Sequence, residues 1–197
     1  AAFRGYRDTI ANAEKLQCNV PWIIIFDPTS ACNKHCIGCW SADYEKWQNL
    51  TYEECDKIVT QGSELGCHLY MMTGGEPLVR KKDVLRLAEE HNDRLFNIFT
   101  NASLIDQPFC DEVKRLGNIV FSISLEGYED TNDARRGDGS YDEVMRAMDL
   151  LHKNGLLFGP STAYTRANTE TVTSDEYLDL IISKGARWAW YFHYMPI

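Results

Sequence analysis

Hydrophobic positions along the chain fall into two alternating patterns. Short runs rich in β-branched and aromatic residues recur at 22–26, 68–72, 95–99, 119–126, 158–165 and 187–195. Between them lie stretches with an apolar residue every three to four positions. Runs of the first kind predict strands, and stretches of the second kind predict amphipathic helices. Trp22-Ile23-Ile24-Ile25-Phe26 is apolar throughout, which predicts a strand buried on both faces. Phe121-Ser122-Ile123-Ser124-Leu125-Glu126 alternates with period two, so Ser122, Ser124 and Glu126 share one face while Ile123 and Leu125 share the other. Helices on the apolar side would leave the polar side facing a lumen.

Helix boundaries are marked by capping residues. Phe3, Tyr6, Ile10, Ala13 and Leu16 predict a leader helix over residues 1–20, packed on the outside and ended by Pro21. Thr51-Tyr52-Glu53-Glu54 has the form of a capping box, with Cys55, Ile58, Val59 and Leu65 inward and Gly66 closing the helix. Further helices follow at 83–92, from Asp106 to Gly117, from the Ser140/Glu143 box, and from Thr173/Glu176 to Lys184. Strand and helix therefore alternate six times. That rhythm predicts a parallel sheet with right-handed crossovers, open or closed into a barrel, in one domain over residues 21–197. The face made by Trp188, Trp190, Phe192 and Tyr194 is expected to be core or lumen wall.

Composition narrows the function classes. The 197 residues carry 44% apolar and 25% charged side chains, ordinary for a globular domain with a real core. Lys+Arg 20 against Asp+Glu 29 gives a formal charge of −9, which argues against nucleic acid or an anionic membrane surface as partner. No run is long enough to span a bilayer and no signal-peptide pattern opens the chain. Seven cysteines, three of them clustered, point to metal work in a reducing, cytoplasmic setting. The chain opens on Ala1 and stops at Ile197 in a strand with no helix after it, so a piece of a longer protein is expected.

The clustered thiols are Cys32, Cys36 and Cys39, spaced C-x3-C-x2-C directly after the first predicted strand. Thiols this close favour a shared metal or iron–sulfur cluster. Closed structural sites take four protein ligands, so three leave one position open to a small molecule. Cys18, Cys55, Cys67 and Cys110 are scattered singly and are expected to pack as small hydrophobes; His35 is expected to be a solvated loop residue. The unusual residues gather at strand ends: the cysteines after strand one, Gly74-Gly75-Glu76-Pro77 after strand two, Thr100-Asn101 after strand three, and Glu126 after strand four. Parallel α/β folds place their chemistry there.

This constellation resembles the radical S-adenosylmethionine (SAM) enzymes over essentially the whole length. The resemblance implies a partial parallel (β/α)6 barrel and a [4Fe–4S] cluster on Cys32, Cys36 and Cys39. It further implies SAM at the open iron, reduced by a donor such as ferredoxin or flavodoxin to give methionine and a 5′-deoxyadenosyl radical that abstracts hydrogen from a substrate. Gly74, Gly75 and Glu76 match the family's GGE motif, whose backbone receives the SAM amino group, and Asn101 joins them as a cofactor residue. Ser122, Ser124 and Glu126 are similar to its ribose region, with Glu for Asp. Asp133-Ala134-Arg135-Arg136 resembles a D-x-x-R segment of the SPASM/twitch branch. There Arg136 would meet the SAM carboxylate and Arg135 would be a surface or ion-pair residue. Asn168 and Met195 are weaker matches of the same kind. The family has an aromatic residue before the third cysteine, where this chain has Gly38 followed by Cys39-Trp40. Peptide or protein modification is the favoured chemistry among substrates the sequence leaves open. A non-catalytic metal-binding or electron-transfer module is the alternative, and it would need a fourth ligand and a closed cluster.

Overall fold

The computed structural model describes residues 2–41 and 49–195. Six strands form one sheet: β1 Ile23–Phe26, β2 Leu69–Met72, β3 Leu95–Thr100, β4 Ile119–Ser124, β5 Phe158–Tyr164 and β6 Trp190–His193. They lie in chain order, and every neighbouring pair is parallel. The sheet is thus a curled half-barrel with β1 and β6 at its two edges, the expected partial (β/α)6 barrel.

Helices cover one face: α1 Ala2–Leu16, α2 Tyr52–Glu64, α3 Lys81–Glu90, α4 Gln107–Leu116, α5 Glu129–Arg136, α6 Ser140–Lys153, α7 Thr169–Val172 and α8 Asp175–Ser183. A 3₁₀ turn, Pro77–Arg80, leads into α3. Tyr70, Phe96, Phe121 and Phe158 are fully buried between sheet and helices. Each such side chain contributes roughly 1.5–3 kcal/mol of burial. The tyrosine among them satisfies its hydroxyl on the Val59 carbonyl of α2 (2.9 Å), and Phe121 meets Phe109 of α4 edge-on at 5.9 Å. Ser122, on the opposite face of β4, bonds Asn97 of β3 instead (3.0 Å). The period-two expectation therefore holds: apolar side to the helices, polar side to the lumen.

Several boundaries and faces differ from the sequence expectation. β1 is an edge strand whose second face opens into the lumen, so Ile25 is 61% exposed instead of buried. In α1, Tyr6, Ile10 and Leu16 are exposed, while Gly5 and Thr9 carry the contact. A Cβ on Gly5 would sit 3.0 Å from His68, and Asp8 bonds the His68 ring at 3.0 Å, so small size and one polar bond seat this helix. The side chain of Phe3 lies outside the described residues. The α2 capping box on Thr51 and the Asp106 cap of α4 form as read. At α6 the cap position is Gly139, because the Ser140 hydroxyl donates to the Arg136 carbonyl (2.9 Å). At α8 it is Ser174, one residue past Thr173, which ends the short α7. Cys55, Cys67 and Cys110 pack in the core as expected, whereas Cys18 is exposed beyond the end of α1. Trp190 and Phe192 form lumen wall, one of the two places expected for them: they stack at 6.3 Å, and Phe192 meets Phe99 edge-on at 6.1 Å. Pro196 and Ile197, part of the expected chain end, lie outside the described residues.

Candidate functional site

The cysteine loop leaves β1 at the carboxyl end of the sheet and is held there from both sides. On one side it pairs with the β2 loop, where Gly75 N–H donates to the Thr29 carbonyl (2.9 Å) and Glu76 N–H to the Ala31 carbonyl (2.8 Å). The two backbones approach so closely that a Cβ on Gly75 would overlap the Ala31 carbonyl, reaching its carbon at 2.6 Å. Gly74 adopts φ +106°, a left-handed conformation that favours glycine. The paired glycines are thus required by the docking of the cysteine loop itself. Asn49 steadies the same loop through the Thr29 hydroxyl.

Glu76 ties this junction to β3. It is buried, and its carboxylate accepts from the Thr100 hydroxyl (2.7 Å), Leu78 N–H (3.0 Å) and Asn101 N–H (2.7 Å). Burial pushes its carboxyl upward, and the backbone donors from Asn101 and Leu78 oppose that push. The Asn101 side chain donates to Asn33 Oδ1 (2.9 Å), and Asn33 donates to the Ser103 hydroxyl (2.8 Å). The second anchor is α5. Ile37 N–H donates to the Arg135 carbonyl (2.8 Å), and Arg135 Nε returns a bond to the Ile37 carbonyl (3.2 Å).

Glu126 is the hub on that side. It is 1% exposed and accepts from Arg135 Nη1 (2.5 Å), Arg136 Nε (3.1 Å) and Ala163 N–H (2.8 Å). Asn168 donates its amide to the Glu126 carbonyl (3.0 Å), which fixes the turn after β4. Arg135 is therefore an ion-pair residue drawn inward, not a surface one. Arg136 carries the second guanidinium, and its Nη1 lies 3.9 Å from Cys36 Sγ. Lys34, on the loop, pairs with Glu143 (2.5 Å) and donates to the Ser140 hydroxyl (3.0 Å) of α6.

Each thiol of the loop has a polar neighbour. Lys34 N–H lies 3.4 Å from Cys32 Sγ and Asn101 Nδ2 4.0 Å from it, Arg136 serves Cys36, and the Ser41 hydroxyl is 3.3 Å from Cys39 Sγ. Burial pushes the Cys32 and Cys36 thiols up, opposed by the Lys34 amide at Cys32 and by the Arg136 guanidinium at Cys36. Among the described residues no three His, Cys, Asp or Glu side chains converge on a single ion. His35 is exposed, as expected for a loop residue.

The Radical SAM superfamily model matches residues 26–181. This chain belongs to that superfamily. The radical SAM chain is 27% identical over 155 residues to the Fe-coproporphyrin III synthase of Methanosarcina barkeri, covering 76% of this chain and 39% of that protein. It is 27% identical over 173 residues to the mycofactocin maturase MftC of Mycolicibacterium smegmatis, covering 85% of this chain and 43% of that one. Among solved structures, Streptococcus suis SuiB bound to S-adenosylmethionine superposes with a TM-score of 0.80 at 21% identity, covering 97% of this chain and 45% of SuiB. The chain thus spans less than half the length of these three proteins.

The family's cofactors are a [4Fe–4S] cluster and SAM, and the residues present fit such a cluster. Such a cluster is held by cysteine thiolates, and Cys32, Cys36 and Cys39 lie on one loop with a polar N–H or O–H group beside each sulfur. Cys55 is buried in α2, and the other thiols lie elsewhere in the fold. N–H and O–H groups beside ligand sulfurs are what such clusters use to set their potential.

The fold gathers Cys32, Cys36, Cys39, Gly74, Gly75, Glu76, Asn101, Glu126 and Arg136 into one network around the loop. Ser122 lies lower on the lumen face of β4, bonded to Asn97, and Ser124 closes that strand two residues before Glu126. Asn33, Ser103 and Lys34 complete the network, and Arg135 joins it as the ion-pair residue that was one of its two expected roles. The signal available for Asn33 was its place beside Cys32; Ser103 had none.

Proposed function

We propose that this chain is the SAM-cleaving core of a radical SAM enzyme, with Cys32, Cys36 and Cys39 as cluster ligands. The observation that carries the reading is the three-thiol loop at the carboxyl end of the half-barrel, flanked by a donor for each sulfur. When bound, the reduced cluster and SAM supply a 5′-deoxyadenosyl radical and methionine, one electron entering from a donor such as ferredoxin or flavodoxin. The chain's own residues do the rest. Gly74, Gly75 and Glu76 fix the loop and offer backbone groups to the SAM amino end. Glu126 holds Arg136 so that its fork faces the cluster side, where a permanent planar cation suits the SAM carboxylate. The half-barrel wall limits water access to a reactive radical.

A peptide or protein substrate is supported by the D-x-x-R segment that ends at Arg136 and by the precursor peptide bound in SuiB, whose fold this chain shares. A tetrapyrrole is the second reading, favoured by the relative named Fe-coproporphyrin III synthase and by the exposed aromatic wall of Trp190 and Phe192.

Anaerobic reconstitution of the wild type and of Cys32→Ala, Cys36→Ala, Cys39→Ala and Cys55→Ala tests the ligand set. The wild type and Cys55→Ala should each hold four irons per chain, with an electron paramagnetic resonance (EPR) line shape that changes on adding SAM. Full iron in any loop variant, or its loss in Cys55→Ala, would contradict the assignment.

A further inference from the structure

Gly38 sits between the second and third thiols of the loop in a left-handed conformation, φ +65°. A side chain there would not enter open space. A Cβ built on Gly38 would overlap the Tyr194 hydroxyl and lie 2.9 and 3.0 Å from ring atoms Cε2 and Cζ. The phenol of Tyr194 therefore occupies the volume that the loop's own side chain would fill. Gly117, Gly137, Gly139 and Gly155 would meet nothing within 4 Å, whereas Gly75, Gly159 and Gly185 are closed off as tightly as Gly38. What sets Gly38 apart is its neighbour, an aromatic ring from the far end of the chain.

The ring is delivered by the sheet. Tyr194 N–H donates to the Tyr164 carbonyl (3.1 Å), which extends the β5–β6 ladder one step beyond β6. Trp190 and Phe192 precede Tyr194 at period two on the lumen face, so the strand aims its ring toward the loop. Arg135 lies against it, with its guanidinium carbon 5.9 Å from the ring centroid. The same arginine exchanges two hydrogen bonds with Ile37, the residue before Gly38. The segment from Cys36 to Cys39 is thus gripped by α5 through its backbone and by the end of β6 through an aromatic ring.

We propose that Tyr194 is a positioning residue for the cluster: its ring acts as the missing side chain of Gly38, fixing Cys39 relative to Cys36 and shielding that flank of the loop from water. The proposal rests on the reading of the loop as the cluster site. It makes Gly38 and Tyr194 a coupled pair, and coupling is measurable by a double-mutant cycle.

The cycle uses the full chain as Gly38→Ala, Tyr194→Ala, the double variant and Tyr194→Phe. Two readouts are taken: the rate at which a chelator bleaches the reconstituted cluster, and the EPR line shape with and without SAM. Gly38→Ala should speed bleaching at least tenfold in the wild-type background. It should do so less in the Tyr194→Ala background, where the ring no longer occupies the space and only the left-handed backbone strain remains. Tyr194→Phe, which keeps the ring, should bleach at the wild-type rate with the wild-type spectrum, and Tyr194→Ala should alter both. Equal fold-changes for Gly38→Ala in the two backgrounds, or a Tyr194→Ala protein with unaltered bleaching and spectrum, would overturn the proposal. A third readout separates this from failure of the cluster reading: amide exchange at Ile37 and Cys39 in the metal-free chain. It should quicken in Tyr194→Ala and not in Tyr194→Phe even if the wild type takes up no iron. Unchanged exchange there would overturn the proposal on its own.

Discussion

Glu126 concentrates most of the site's electrostatics in one carboxylate, since two guanidiniums and the Ala163 amide converge on it in a nearly water-free place. Replacing it by Gln keeps the shape but leaves two arginines without their charged partner. SAM binding to the reconstituted protein should weaken by about 1–3 kcal/mol, the cost of a lost charged hydrogen-bond partner, with the iron content unchanged. Calorimetric titration with SAM measures it, and an unaltered affinity would show that the Glu126–Arg136 pair does not face the cofactor. At this scale the sequence was legible wherever chemistry is local. Three thiols within eight positions, or two adjacent glycines before a glutamate, carry their meaning in their spacing. What stayed hidden depends on long-range closure. Asn33 meets Ser103 seventy positions away, and Arg135 meets Ile37 ninety-eight away. No local pattern encodes either. Gly38 was visible as a position without a side chain, but the ring that fills it comes from the far end of the chain.

Among the elements, α4 offers the cleanest test of how a cap holds a helix. Asp106 caps it by accepting from Phe109 N–H (2.9 Å) and pairs with Lys81 of α3 (2.7 Å). The Lys81 hydrogen bond, foremost, holds the Asp106 carboxyl below its ordinary range; partial burial opposes this and the Phe109 amide adds to it. A depressed carboxylate contributes stability that is present above its unfolded pKa, about 3.9, and lost as the pH falls through the folded value. Asp106→Ala should therefore lower stability by about 1 kcal/mol at neutral pH, the usual cost of an N-cap, and by less in acid. Urea unfolding at both pH values measures this; an equal loss at both would mean that the ionised carboxylate plays no part. The caps whose side chains accept from their own helix's first-turn amides, Thr51 and Asp106, were legible in the sequence. Those at α6 and α8 shifted by one residue because Ser140 is drawn to the Arg136 carbonyl and Lys34, and because Thr173 belongs to the preceding turn. α5 escaped notice because Glu129–Arg136 has almost no apolar residue to set a period. Its helix is fixed by the contacts of its arginines.

At the scale of the whole molecule, the sheet is an open half-barrel whose two edges differ. β1 exposes Ile25 to the lumen, and β6 lays Trp190 and Phe192 along the other wall, with Asn97 and Ser122 between them. The βα rhythm gave away this architecture, because six hydrophobic runs separated by capped helices admit few topologies other than a parallel sheet. The second face of β1 is open instead of buried, because an apolar run marks a strand but does not say how much wall stands opposite it. No helix among the described residues is long and apolar enough to cross a membrane. The central claim is that the three-thiol loop at the carboxyl end of this sheet supports reductive cleavage of SAM, and product analysis tests it most directly. Anaerobically reconstituted wild-type chain, given SAM and a chemical reductant, should form 5′-deoxyadenosine and methionine in equal amounts, and Cys36→Ala should form neither. A wild-type protein that holds a full complement of iron, binds SAM and yields no 5′-deoxyadenosine would contradict the account.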